Sequence, residues 1–376
     1  MGVYGVRSVL QVPGRIIYGT NTVGELGEVV HRYGRRAALV FGGSSLVKSG
    51  IYERIVTLFK DHGIESHDIG GIGHDPDEEQ VGSTVQRVLE IAPDAIVGIG
   101  GGSVIDVAKA ASLIATNGGE VADYWAGKSF TRPSIPFVAV PTTSGTGAEV
   151  TKNAVISSAD RSFKKSIRSD LMIPDVALVD PALTLSVPPE VTAHTGLDAL
   201  IQNLEAYTSR GAGPITDTLA RKGIELAGAS LARAVEVPED IEARESMSLA
   251  SLYGGITLAN AGLGLAHGLA HPLGIRYGIP HGKACALTMA AVIRYNHPTR
   301  RERYAEIAGL LGGEKDAASA FGALLERLGV STRLSGYGVK KGDILLIVEE
   351  SKEGGRRFNP VDHDDETVTR MLEELL

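Results

Sequence analysis

Four short runs of the chain are apolar at nearly every position: RAALVFG (36–42), DAIVGIG (94–100), PFVAVPTT (136–143) and DVALVD (175–180). Apolarity without alternation is the pattern of a strand covered on both faces, as in a parallel sheet. Between these runs the period lengthens to that of a helix, in IYERIVTLFKDHG (51–63), EEQVGSTVQRVLEIA (78–92) and the stretch that follows Gly100. IESHDIGG (64–71) is a weaker strand, and VLQVPGRIIYG (9–19) alternates about a Pro-Gly pair and predicts a small hairpin. Strand and helix in alternation give a parallel sheet with helices on both sides. After Pro188-Pro189 the texture changes, and only helical periods follow, over 190–209, 214–236, 241–262, 264–273, 283–296, 300–312, 314–329 and 364–374. The expected architecture is an α/β domain over 1–185 followed by an all-helical domain over 186–376, with the join near 181–190.

Composition narrows the partners. The 376 residues exceed one compact core, and 43% hydrophobic with 22% charged residues is ordinary for a globular protein. A formal net charge of −8 argues against nucleic acid or an anionic membrane as the main partner. The single cysteine, Cys285, forbids an intrachain disulfide and suits a reducing cytoplasm. No apolar run approaches membrane-spanning length, so a cytoplasmic protein is expected. Cys285 and Trp125 read as packing residues.

Chemistry concentrates in a few places. AHGLAHPLGIRYGIPHG (266–282) holds His267, His271 and His281. His267 and His271, four apart, share a helical face. Pro272 and Gly274 are expected to disturb that helix, and Gly278-Ile279-Pro280 reads as a turn returning His281 toward His267. Two imidazoles with a carboxylate from elsewhere make a divalent-metal site; the other reading is three unrelated histidines satisfied by carbonyls. In HTGLDALIQNLEAYTS (194–209), Asp198 and Gln202 lie four apart among apolar neighbours, so a buried Asp198 needs a partner, such as a metal shared with His267 and His281. His194 reads as a surface or capping residue. Gly100-Gly101-Gly102-Ser103 stands between a strand and a helix, where small residues and free N–H groups suit a phosphate. Pro141 to Gly147, PTTSGTG, is a second small-residue loop on the same edge. Two such loops suggest a dinucleotide; the other readings are a tight turn for the first and a capped helix start for the second.

GGGSVIDVAKA, PTTSGTGAEVTKN, the run from Asp180-Pro181 through GLDALIQNLEAYTS, and AHGLAHPLG…PHG occur in this order and span nearly the whole chain. Together they resemble the iron-containing (group III) alcohol dehydrogenases, in particular the lactaldehyde reductase and propanediol oxidoreductase branch. The resemblance implies a dinucleotide-binding α/β domain, a helical metal domain and a homo-oligomer, a dimer or larger. It implies Asp198, His267 and His281 as ligands of Fe2+ or Zn2+, and His271 as the residue that moves the proton. It places the cofactor's pyrophosphate at Gly100, Gly101, Gly102 and Ser103 with Asp106 following, adds contacts from Thr142, Thr143 and Lys164, and sets Asn153 toward the substrate. The family's usual histidine four residues after the aspartate is Gln202 here, a weaker donor, so readily lost metal is expected.

The position where NAD-preferring relatives carry an aspartate for the ribose 2′-hydroxyl is Gly43, followed by Ser44 and, further on, Lys48. No carboxylate there repels a 2′-phosphate, which favours NADP(H) over NAD(H). The implied reaction is metal-assisted hydride transfer between a nicotinamide and a small primary alcohol or aldehyde. Arg356 and Arg357, in the family segment GGRRFNP (354–360), raise an anionic aldehyde as a substrate. A metal-independent reductase resembling maleylacetate reductase and a lyase resembling dehydroquinate synthase are the alternatives.

Overall fold

The computed structural model describes residues 9–313, 316–353 and 356–376. The first two residues of the expected helix at 314–329, and Gly354 and Gly355 of GGRRFNP, lie outside the described residues. The chain divides into two units: residues 12–143 with 147–187, and the rest, in which 9–11 and 144–146 join everything from 188 onward.

The first unit runs β1 (Arg15–Tyr18), α1 (Leu26–His31), β2 (Arg36–Phe41), α2 (Ser45–Lys48), α3 (Ile51–Asp61), β3 (Glu65–Ile69), α4 (Glu78–Ile91), β4 (Ala95–Gly100), α5 (Gly102–Asn117), α6 (Val121–Trp125), β5 (Phe137–Pro141), β6 (Asn153–Ser157), β7 (Lys164–Arg168) and β8 (Val176–Val179). Six strands form one all-parallel sheet in the order β1-β8-β5-β4-β2-β3. The four wholly apolar runs are its inner strands. Val97, Ile99 and Val138 face α1 and α3, which contribute Leu26, Val29, Ile55 and Phe59. Ile96 and Phe137 face α4 and α5, which contribute Val81, Val88, Ile105 and Leu113. Burial on both faces is why these strands carry no polar alternation.

The expected hairpin at 9–19 is not formed. Arg15–Tyr18 instead pairs in parallel with β8, and the Arg15 N–H donates to Asp175 O at 3.0 Å. Pro13 has no N–H to offer a hairpin ladder. The Gln11 backbone is taken by the Asn260 side chain, which accepts from its N–H at 2.7 Å and donates to its carbonyl at 2.9 Å. An antiparallel pair, β6 with β7, went unread in the sequence because β7, KKSIR, has one buried apolar residue, Ile167, among three basic ones. Trp125 braces it as a packing residue, donating to Lys165 O at 3.3 Å and meeting Phe163 edge-on.

Among its described residues the second unit holds helices and no strand: α7 (Pro189–Thr208), α8 (Pro214–Glu236), α9 (Ile241–Ala261), α10 (Leu265–Tyr277), α11 (His281–Asn296), α12 (Arg301–Leu310), α13 (Ala317–Arg327), α14 (Ile344–Glu350) and α15 (Asp365–Glu373), with loops and short 3₁₀ turns between. The parallel-sheet unit followed by a helical one is the fold class that the sequence pattern indicates. α10 passes through Pro272 and Gly274 to Tyr277, against expectation. Proline costs it one backbone hydrogen bond, on the order of 3 kcal/mol, but burial of Leu269, Ala270 and Leu273 in the helical core offsets that loss. Gly278 then ends the helix at φ 64°, and Pro280 precedes the first residue of α11, His281. No single helix among the described residues is long and apolar enough to cross a membrane.

Candidate functional site

α7 is buried along nearly its whole length, so its polar residues Asp198, Gln202 and Glu205 lie inside the helical unit. They are spaced four and then three apart, on one face. α10 brings His267 to this face, and the turn at Gly278–Pro280 returns His281, whose ring centroid is 5.5 Å from that of His267. Gly282 makes the approach of α11 feasible, since a Cβ there would lie 2.0 Å from His194 O and 3.0 Å from Asp198 Cβ. His194 is therefore a half-buried residue of the second turn of α7, neither a cap nor a surface side chain.

Asp198 Oδ1 lies 3.2 Å from His267 Nε2 and 3.8 Å from His281 Nε2. Cys285, four residues after His281 on α11, places Sγ 3.9 Å from His281 Nε2. One ligand atom from each of these four residues falls within 4.8 Å of all the others. Oxygen and nitrogen donors about 2.1 Å from a tetrahedral ion stand about 3.4 Å apart, and a sulfur–nitrogen pair about 3.6 Å. The donor set thus fits a divalent ion. Cys285, which the sequence reads as a packing residue, is fully buried in the core and also stands in this cluster.

Behind His267 stands Glu205, which sequence reasoning missed. Its carboxylate accepts from His267 Nδ1 at 2.7 Å, from the Gly264 N–H at 2.8 Å and from the Ala266 N–H at 2.7 Å. Holding the proton on Nδ1 turns Nε2 toward Asp198, the arrangement that orients a metal-ligating imidazole. Its signal was the third turn of the helical face begun by Asp198 and Gln202.

Burial alone would raise the Asp198 carboxyl. The charge on His281, hydrogen bonding and charge from His267, and a hydrogen bond from Gln202 outweigh it and hold the group below the usual carboxylate range. Burial likewise works against charge on His267 and His281, but the neighbouring Cys285 and the acids raise both, His267 strongly. The Cys285 thiol is lowered by the two imidazoles in spite of its burial.

Gln202 stands beside this set without joining it. Its amide helps to lower the Asp198 carboxyl, while Oε1, buried and without a hydrogen-bond partner, lies 2.8 Å from where a Cβ on Gly254 would sit. His271, half-buried, has its ring centroid 5.8 Å from that of His281. The two arginines are not presented as a pair. Arg356 donates to Asp365 at 2.8 Å and to Val348 O and Ser351 Oγ at 3.0 Å, while exposed Arg357 lies over the Phe358 ring.

In the α/β unit the two small-residue loops meet at the carboxyl ends of β4 and β5. Thr142 N–H donates to Gly100 O at 2.9 Å, and a Cβ on Gly101 would lie 3.5 Å from Thr143 Oγ1. Gly100 has to be small, because a Cβ would meet Val104 at 2.7 Å. Gly101 caps the sixteen-residue α5, which opens with Gly102 and Ser103. Asp106 is turned to structural use: it accepts from Val155 N–H at 2.9 Å and lies 3.6 Å from Lys109 Nζ. Lys109, fully buried, donates to Ala148 O, Thr151 Oγ1 and Asn153 O, so the pair fixes the strand carrying Asn153. Lys164 is ion-paired with Asp75. Gly43 and Ser44 are exposed at the end of β2, with open space where a Gly43 side chain would go.

Burial pushes the Glu149 carboxyl up to about 7, against its backbone hydrogen bond and Lys109. An acid raised in the folded state binds protons there that the unfolded chain releases, so its stability cost is absent below about 4.5 and complete above about 7. Glu149→Gln is expected to raise the unfolding free energy measured in urea at pH 8, by up to about 3 kcal/mol, and to leave it nearly unchanged at pH 4.5. Equal gains at both pH values would refute the assignment.

The iron-containing alcohol dehydrogenase family model matches residues 13–181, and the model of the family's C-terminal region matches 192–376. Alcohol dehydrogenase 4 of Schizosaccharomyces pombe is 35% identical over 367 residues, covering 95% of this chain and 87% of that protein. The NAD-dependent methanol dehydrogenase of Bacillus methanolicus is 36% identical over 352 residues, covering 91% and 92%. A crystal structure of 1,3-propanediol oxidoreductase superposes with a TM-score of 0.95 at 32% identity, covering 99% of this chain and all of that one. The chain belongs to the iron-containing alcohol dehydrogenase family. It is an oxidoreductase of the alcohol dehydrogenase type, in a family that binds NAD(P) and a metal.

Proposed function

We propose that this enzyme is a metal-dependent, NADP(H)-preferring alcohol dehydrogenase and aldehyde reductase for small primary alcohols and aldehydes. The observation that carries the reading is the buried set Asp198, His267 and His281, with Glu205 fixing the tautomer of His267. These three residues would hold Fe2+ or Zn2+, and such an ion supplies Lewis acidity to a carbonyl oxygen. The nicotinamide supplies the hydride. Asp198 contributes a carboxylate kept ionised by its neighbours, so the site favours a cation without further proton loss from that residue. His271, one turn beyond His267, moves the proton to and from the substrate oxygen. Buried walls of Leu197, Ala266 and Ala270 limit water around the set.

In the α/β unit, the amides at Gly101, Gly102 and Ser103 face the pyrophosphate at the start of α5, where the helix favours negative charge. Gly100 lets the backbone approach, and Thr142 and Thr143 offer hydroxyls beside it. Asn153 faces the substrate and Lys164 the cofactor in this reading, and Asp106 holds their hairpin in place. The test is metal analysis of the purified protein together with NADPH and NADH oxidation across a panel of short aldehydes. Full aldehyde turnover by protein shown to be metal-free would end this reading.

The preference for NADPH is supported by Gly43 and Ser44, which place no carboxylate at the end of β2. The methanol dehydrogenase relative is named NAD-dependent, so the preference is tested within this chain. Because the space at Gly43 is open, Gly43→Asp is sterically allowed. It is expected to lower kcat/KM for NADPH by roughly tenfold or more relative to NADH, through charge repulsion of the 2′-phosphate. An unchanged ratio, or wild-type efficiency with NADH at or above that with NADPH, would remove the preference.

A further inference from the structure

We propose that Cys285 supplies a thiolate as a fourth protein ligand, making an Asp-His-His-Cys site that selects zinc-like ions over iron. This rests on the reading that Asp198, His267 and His281 hold a metal. His281 opens α11, and Cys285 follows one turn later on the same face. Its Sγ lies 3.9 Å from His281 Nε2, close to the spacing of a sulfur and a nitrogen on one ion, and within 4.8 Å of the chosen donor atom of every other member. The residue is completely buried, so its sulfur is directed into this cluster and not toward solvent.

The alternative fourth ligand is Gln202. Its oxygen, buried and without a hydrogen-bond partner, sits against α9 at Gly254. For the oxygen to ligate, the amide would have to leave that position. Cys285 already has its sulfur beside His281 Nε2, one of the nitrogens that would share the ion. Donor softness also separates the two: an amide oxygen suits hard ions, whereas a thiolate with two imidazoles suits borderline Zn2+ or Co2+. Solvent reaches the set on the side of His281, whose side chain is 36% exposed, whereas those of Asp198 and His267 are 3% and 6% exposed. A thiolate on the buried side therefore leaves the open side to substrate.

Cobalt reports the ligand directly, and the chain's single cysteine makes the assignment unambiguous. Co2+ is exchanged into the purified full-length protein, and the near-ultraviolet sulfur-to-cobalt charge-transfer band is recorded alongside the visible d–d bands. The band is expected in wild type and in Gln202→Leu. Cys285→Ser and Cys285→Ala are expected to lose it while keeping d–d bands, which show that each variant still folds and binds. In competition between the two metals, Cys285→Ser is expected to reduce the preference for Zn2+ over Fe2+ by about tenfold or more. Visible d–d bands without charge transfer in wild type would overturn the thiolate ligand and leave the three-residue site standing. Failure of wild type to bind Co2+ or Zn2+ at all would overturn both.

Discussion

Asp198→Ala is expected to leave a folded enzyme with no retained metal and no measurable aldehyde reduction. Asp198 is the carboxylate of the donor set, and its Oδ1 is the atom common to both histidine contacts, at 3.2 and 3.8 Å. Without it, two imidazoles that the site holds toward the charged form face each other with no anion between them. Metal binding must then displace protons from both rings without the carboxylate's help. Loss of an orienting residue behind a ligand already costs 10- to 100-fold in affinity, so loss of the ligand is expected to cost on the order of a hundredfold or more. The small side chain removes a buried charge and leaves a pocket beside Gly282, so folding is checked by circular dichroism and NADPH binding. Metal content after gel filtration and single-turnover aldehyde reduction are the measurements. Metal-free Asp198→Ala that still reduces aldehydes at the wild-type rate would show that Lewis acidity is not the source of catalysis here.

The legible parts of the fold were those whose cause is local. RAALVF, AIVGIG and FVAVP are buried on both faces, so their composition alone marks them as inner parallel strands. α8 was readable to the residue because Gly213-Pro214 opens it and its buried positions keep a helical period. β1 was misread because its partner, β8, lies about 160 residues further along, and nothing between Val9 and Gly19 records that pairing. The same contrast divides the site. Asp198, His267 and His281 announced themselves as chemistry-bearing residues at helical spacing, and the family resemblance joined them. Glu205 and Cys285 lie one further turn along the same two faces, but an acid in NLEAYTS and a thiol in ACALTM read as ordinary members of buried helices. Their significance comes from α10 crossing α7 near Glu205, and from Gly282 letting α11 descend onto Asp198. Asp106 is the opposite case. The resemblance sets it among the cofactor contacts, and the structure adds that its hydrogen bond to Val155 and its proximity to Lys109 anchor the next hairpin.

Glu205→Gln is expected to weaken metal retention by about 10- to 100-fold, although Glu205 is not among the donor atoms of the set. The substitution preserves size and removes one acceptor. In the wild type two carboxylate oxygens receive three donors: the Gly264 N–H and His267 Nδ1 on one oxygen, and the Ala266 N–H on the other. Glutamine keeps only one oxygen, and its NH2 must face at least one of those donors. Either a helix-start amide of α10 loses its partner, or His267 shifts its proton to Nε2 and presents a donor where a ligand lone pair is needed. The first outcome costs stability, about 1–3 kcal/mol for a buried unsatisfied group; the second costs metal. Urea denaturation of the metal-free protein measures the first, and chelator competition on the loaded protein measures the second. The expected result is a loss of affinity larger than the stability change explains, with NADPH affinity unchanged because the proposed pyrophosphate loops belong to the α/β unit. A variant that holds metal as tightly as wild type would show that Glu205 is a helix cap for α10 and nothing more.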